Sequence, residues 1–274
     1  MDTARWLALC HSCAEDVAHV LVERPARADR EGVLGTGVGG DETTLVDDAA
    51  ERAVVARLEA LHAEGAQFTL VSEELGERRF GDGGLRFVVD PIDGSVNAKR
   101  VLPFFSLSIA IADGARMEDV AFGYLRDFGS GQEWWAARGE GAWLDGTRLG
   151  EERPKAEIEL LMLEGTFTHN VAELTPAFVG LAYRLRIMGS LALALCQLAA
   201  GRADAVCSLR PIRAVDIAAA QLLLRETGLA IDLPDARPFD ASPLDTVARS
   251  RVVAGANEGV CAALAGALGA PAPA

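Results

Sequence analysis

The sequence contains no stretch approaching the ~18 consecutive uncharged apolar residues that a membrane-spanning helix requires. Its first residues lack the basic region and short apolar core of a secretory leader, with Asp2, Arg5, Glu15 and Asp16 scattered among them. A cytoplasmic protein is therefore expected. Excess positive charge is also missing: 40 acidic side chains face 26 basic ones, a formal charge of −14. Such a chain repels a nucleic-acid backbone and an anionic membrane surface, so neither is expected as a partner, and an anionic substrate would need a cation as mediator. A disulfide framework is absent as well, because the five cysteines are odd in number and mostly far apart. Cys10 and Cys13 have the spacing of a zinc or redox pair, yet no second pair accompanies them. They share one helical stripe with Trp6, Leu9, Val17, Val20 and Leu21, which marks them as core residues. There is no internal repeat, and no low-complexity segment apart from a Gly/Ala/Pro-rich tail.

What remains is a globular chain of 274 residues, 50% hydrophobic, long enough for a large core in one domain or two. Periodicity predicts helices over roughly 4–24 and 48–63, then strands at "QFTLV", "LRFVVD", "FSLSIAIAD", "DVAFGYL" and "EWWAARGEGAWL". The first half reads as helices followed by a mostly antiparallel sheet. Further on, strands at "EIELLML", "YRLRIM", "ADAVCS" and "RVVAGA" interleave with helices near 171–182, 190–200 and 217–227 and a last helix, an α/β pattern. The polar, turn-rich "DGTRLGEERPKAE" marks the boundary, giving an α+β half over 1–150 and an α/β half over 151–274.

Several of these strands end in carboxylates. "FVVDPIDGSVN" stops an apolar run at Asp90 and presents Asp93 three residues on, after a proline. A strand followed by a capped turn explains this pattern; so does a metal site, since hard divalent cations take carboxylate and carbonyl oxygens, and the Ile92 carbonyl could join the two aspartates. A phosphate would then rest on the metals and on the N–H groups of Gly94 and Ser95. Haloacid-dehalogenase-like phosphatases also place aspartates after a strand, but their Asp-x-Asp spacing is two and the first residue is a covalent nucleophile. "QFTLVSEELGE" repeats the design with Glu73 and Glu74. Thr44 and Asp47 stand before a helix, and Asp216 stands at another helix start in "IRAVDIAAAQLLLRETG". Each alone reads as an N-cap; the set reads as a site. The glycine-rich "GTGVGG" follows no strand and opens no helix directly, so a mobile loop that delivers Asp47 is expected in place of a dinucleotide fingerprint.

Taken in order, Thr44-x-x-Asp47, Glu73-Glu74, Asp90-Pro91-Ile92-Asp93-Gly94-Ser95 and Asp216-Ile217-Ala218-Ala219 resemble the inositol monophosphatase family, within the superfamily that includes fructose-1,6-bisphosphatase. "PFFSLSIA", "ARGEGAWLDGTRL" and "MGSLALALCQLAAGRADAV" extend the likeness over roughly residues 30–230, and "GTGVGGDETTLVDD" resembles the archaeal-type members that act on both inositol monophosphate and fructose bisphosphate. The resemblance implies a layered αβαβα sandwich, Mg²⁺-dependent hydrolysis of a phosphate monoester with two or three ions per site, and a homodimer. It implies that Glu73, Asp90 and the Ile92 carbonyl hold one ion, and that Asp90, Asp93 and Asp216 hold a second. Asp47, with Thr44 and Ser95, would position the attacking water. Gly94, Ser95 and the helix start at Gly189-Ser190 would face the substrate.

The sequence departs from the family where inositol-specific members carry a sugar-binding glutamate, seven residues before Asp216. Leu209 stands there, and Val215 replaces the usual tryptophan. Arg210 and Arg213 flank the change and are expected to grip a second phosphate. The reading is a metal-dependent phosphatase of a small sugar or polyol phosphate. The alternatives are a phosphatase of the same fold acting on histidinol phosphate or a nucleotide 3′-phosphate, or a non-enzymatic metal- or phosphate-binding relative.

Overall fold

In the computed structural model, which describes residues 2–269 apart from Gly39, Asp41 and Arg237, the helices α1 (Thr3–Glu23) and α2 (Leu45–Ala63) flank a hairpin of β1 (Val33–Thr36) and β2 (Glu42–Thr44). Next come β3 (Phe68–Ser72), β4 (Gly76–Phe80), β5 (Leu85–Asp93), the short helix α3 (Ser95–Lys99), β6 (Ser106–Ala112), β7 (Val120–Asp127), β8 (Glu133–Ala137), β9 (Gly141–Leu144) and β10 (Thr147–Arg148). Strands β3 to β10 form one sheet in the order β10-β9-β8-β7-β6-β5-β3-β4, antiparallel except where β3 runs parallel to β5.

After the connection 149–157 come β11 (Ile158–Glu164), α4 (Thr168–Leu174), β12 (Ala182–Arg186), α5 (Leu191–Ala199), β13 (Ala205–Ser208), α6 (Ala218–Glu226), β14 (Ala230–Asp232), β15 (Val253–Gly255) and α7 (Glu258–Ala267). Their strands form a second, mixed sheet in the order β12-β11-β13-β15-β14.

The layers follow from side-chain alternation. In β5, Phe87 and Val89 point to α1 and α2, where they meet Trp6, Cys10, Cys13, Val17 and Leu58, while Val88 points the other way. In β11, Met162 joins Val88, whereas Leu161 and Leu163 face α7. Between the two sheets lie α5 and α6. Apolar residues cover α5 nearly all round, as befits a helix packed on both sides. The order is helices, sheet, helices, sheet, helices: the expected αβαβα sandwich. β5 and β6 are buried on both faces over most of their length, so their ends are the natural place for a sheltered site.

Two details differ from the sequence pattern. "EWWAARGEGAWL" is a hairpin, β8 and β9, turned at Gly139 and Gly141, which both adopt positive φ. The helix expected near 171–182 stops at Leu174 and continues as a 3-10 turn, because Pro176 lacks the N–H that an α-helix would bond to the Ala172 carbonyl. Among the described residues, no helix is long and apolar enough to cross a membrane.

Candidate metal centre and active site

The convergence of carboxylates begins with a bulge. Pro91 has no N–H to offer β6, and the ladder shifts there: Asp90 faces Ser108 and Asp93 faces Ser106, three steps along β5 against two along β6. The Ile92 N–H donates to Asp90 Oδ1 at 3.0 Å, and the Ser95 hydroxyl donates to the Ile92 carbonyl at 3.1 Å. Gly94 then adopts φ +95°, where a side chain would also come within 3.0 Å of the Gly189 carbonyl oxygen. β3 ends beside β5, and Glu73 follows it with its N–H on the Val89 carbonyl at 3.3 Å. Asp216 arrives just before α6. One oxygen each of Glu73, Asp90 and Asp216 lie within 4.8 Å of one another.

Asp47 enters from the first turn of α2. Thr44 caps that helix, and Asp47 Oδ2 closes a capping box by accepting from the Thr44 N–H at 3.0 Å and its hydroxyl at 2.5 Å. Asp47 Oδ1 is buried without a well-formed hydrogen bond, the Ser95 hydroxyl being nearby. The start of α2 therefore places Asp47. The described part of the glycine-rich run is instead the β1–β2 hairpin, tied to Glu74 by the Val38 N–H at 3.2 Å and the Thr43 hydroxyl.

Asp93 is held from the other half of the chain. Ser190 caps α5, accepting from the Leu193 N–H at 3.2 Å, and donates its hydroxyl to Asp93 Oδ2, to which the Ala192 N–H adds a bond of 3.0 Å. Behind this turn lie two residues that the sequence did not single out. Glu164, buried at the end of β11, accepts from the Met188 and Gly189 N–H groups at 3.2 and 2.9 Å. Asn97 donates to the Met188 and Phe104 carbonyls at 2.7 and 2.8 Å. Glu164 closes an apolar strand just as Asp90 does, which is the signal that could have found it.

The two arginines part company. Arg213 is buried; its guanidinium donates to Glu73 Oε1 and lies 3.5 Å from Asp216 Oδ1, while its backbone N–H donates to Asp216 Oδ2 at 2.7 Å. Arg210 stacks on Phe167, its guanidinium carbon 4.1 Å from the ring centroid. Both line a cleft of about 490 Å³ with Gly165 and Asp216. Leu209 and Val215 are buried in the core.

Burial pushes Glu73, Asp90 and Asp93 above the usual carboxylate range, and their mutual repulsion and Asp216 push further; Arg213 opposes this at Glu73 and the Ser190 hydroxyl at Asp93. Burial likewise raises Asp47 against its bonds from Thr44. Closely spaced hard oxygens, costly to hold charged alone, together with the spare Asp47 oxygen, suit a hard divalent cation.

A layered sandwich with this carboxylate set on a bulged strand end defines the class of metal-dependent phosphatases. The model described as "Inositol monophosphatase family" matches residues 8–268, and the chain belongs to that family, as a phosphoric monoester hydrolase. A fructose-1,6-bisphosphatase/inositol-1-monophosphatase of Methanothermobacter thermautotrophicus is 31% identical over 93% of this chain and 94% of its own. The Nus factor SuhB of Pasteurella multocida is 34% identical over 69% of this chain and 70% of its own. The fold matches the crystal structure of an inositol monophosphatase–fructose 1,6-bisphosphatase with a TM-score of 0.82, 24% identity, and coverage of 96% of this chain and 99% of that one.

Proposed function

We propose that the chain hydrolyses a small sugar or polyol phosphate with Mg²⁺, holding one ion with Glu73, Asp90 and the Ile92 carbonyl and a second with Asp90, Asp93 and Asp216. The single observation that carries this is the convergence of Glu73, Asp90 and Asp216 oxygens within 4.8 Å. Mg²⁺ held there supplies positive charge for the phosphoryl group and acidifies water. Asp47, fixed by Thr44, has a free-facing oxygen beside Ser95 with which it would orient the attacking water and accept its proton. The N–H groups of Gly94 and Ser95 would receive the phosphate, and the Gly189-Ser190 turn keeps Asp93 in place. Apart from its metals, the net charge of −14 leaves the protein little attraction for nucleic acid or anionic membrane, and the cytoplasm is the proposed compartment.

Fructose 1,6-bisphosphate is the favoured substrate over inositol 1-phosphate. Leu209 brings no polar group to a sugar hydroxyl, and Arg210, presented to the cleft on the Phe167 ring, can pair with a second phosphate. The relevant assay is phosphate release across both substrates, histidinol phosphate and a nucleotide 3′-phosphate, with and without Mg²⁺. The expected outcome is the highest kcat/KM on the bisphosphate, and a loss of about ten-fold there in Arg210→Ala with less change on the monophosphate. Equal losses on both refute the arginine's role, and turnover of only the last two substrates refutes the sugar-phosphate reading.

A homodimer is part of the same proposal. Val96, Val101 and Leu102 are exposed beside Ile187 and Met188, joined through the Asn97–Met188 bond, next to the edge strand β12 with its exposed Tyr183. Adjacent exposed apolar side chains of this kind mark contact surfaces. Light scattering should give twice the 28.9 kDa chain mass, and Leu102→Glu should return the monomer.

A further inference from the structure

Arg213 stands inside the carboxylate set. Its side chain is 8% exposed, and it bridges Glu73 and Asp216, two of the three residues whose oxygens converge. A divalent cation on those residues needs the same lone pairs that the guanidinium occupies. Arginine cannot relieve the conflict by losing its proton. Two cations a few ångströms apart, shielded from water, repel strongly. One of them must yield, and only the arginine is on a flexible stem: it also lines the cleft of about 490 Å³ that opens beside Asp216. We infer that Arg213 is an internal counter-ion that competes with the divalent cation for Glu73 and Asp216, and that loading the site turns its guanidinium into the adjoining cleft. There it can donate to an anionic group of the substrate, so that cation and substrate favour the same arginine position.

This inference rests on the carboxylates being the Mg²⁺ site, and the test separates the two. Mg²⁺ alone is titrated calorimetrically into the full chain without substrate, for wild type, Arg213→Met, which keeps the apolar stem, and Arg213→Gln, which keeps a donor without the charge. Both variants should bind Mg²⁺ about ten-fold or more tightly than wild type. Their melting temperatures should fall below that of wild type in chelator and approach it in saturating Mg²⁺. A purely structural arginine would lower both melting temperatures alike and leave the Mg²⁺ affinity unchanged, or weaken it; either result overturns the inference alone. A variant that folds only with Mg²⁺ supports it, and two variants that fold under neither condition overturn it. Wild type that binds no Mg²⁺ defeats the site itself, and the inference with it.

Discussion

Asp93 is buried, yet its carboxylate is gripped by a hydroxyl and an amide from α5, in the other half of the chain. Replacing it with asparagine keeps the volume and removes the charge. Because burial raises this carboxyl, its charged form is costly to the fold, so the loss of that charge has little effect on stability. Asp93→Asn should therefore lower kcat by about a hundred-fold or more while moving stability by only about 1 kcal/mol. Steady-state kinetics beside denaturant unfolding checks this. An active variant would remove Asp93 from the ligand set, and an unfolded one would make it a structural residue.

At the scale of elements, the site depends on a close meeting of two turns. Gly189 adopts φ +91°, and a side chain there would come within 2.9 Å of Asn97 Nδ2, which two carbonyls hold in place. Gly189→Ala should cost about 1 kcal/mol or more and lower kcat by shifting Ser190 away from Asp93. Wild-type turnover in a destabilised variant would show that the turn serves the fold alone. Separation along the chain decides which parts of the molecule are legible in the sequence. Asp90 and Asp93 could be read because a strand-ending carboxylate and a proline bulge are local features. The Cys10–Cys13 stripe could be read because helical period alone decides which residues face the sheet. Glu164 ends its strand in the same way, but its partners at Met188 and Gly189 lie across a parallel crossover that no local pattern records. The position of Arg213 depends on Glu73, which follows β3 of the other sheet, and α4 ends earlier than its periodicity predicts because Pro176 interrupts an apolar pattern that otherwise continues.

Across the whole molecule, buried acids set the response to pH. Burial raises Glu51 to about 7 and Glu164 to about 8, from an ordinary value of 4.5, and it raises Glu73, Asp90 and Asp93 as well. Between 4.5 and about 8 the unfolded chain holds fewer protons than the native one, so stability is greatest below that window and falls as pH rises through it. In chelator, the melting temperature at pH 8.5 should lie about 5 °C or more below that at pH 5.5. Mg²⁺ should shrink this decline by neutralising the clustered carboxylates, and Glu164→Gln should flatten it further. A melting temperature that rises with pH in chelator would contradict these assignments.

The proposed mechanism works through bound cations and water at this set of carboxylates, without a covalent phosphoenzyme. Its most direct test is the rate of phosphate release from fructose 1,6-bisphosphate as Mg²⁺ is titrated into chelator-treated wild type and Asp90→Asn, with acid-quenched samples searched for phosphorylated aspartate. The expected result is a wild-type rate that rises saturably from the background, a variant that stays near it, and no labelled protein. Hydrolysis that persists in chelator, or a trapped phosphoaspartate, would contradict it.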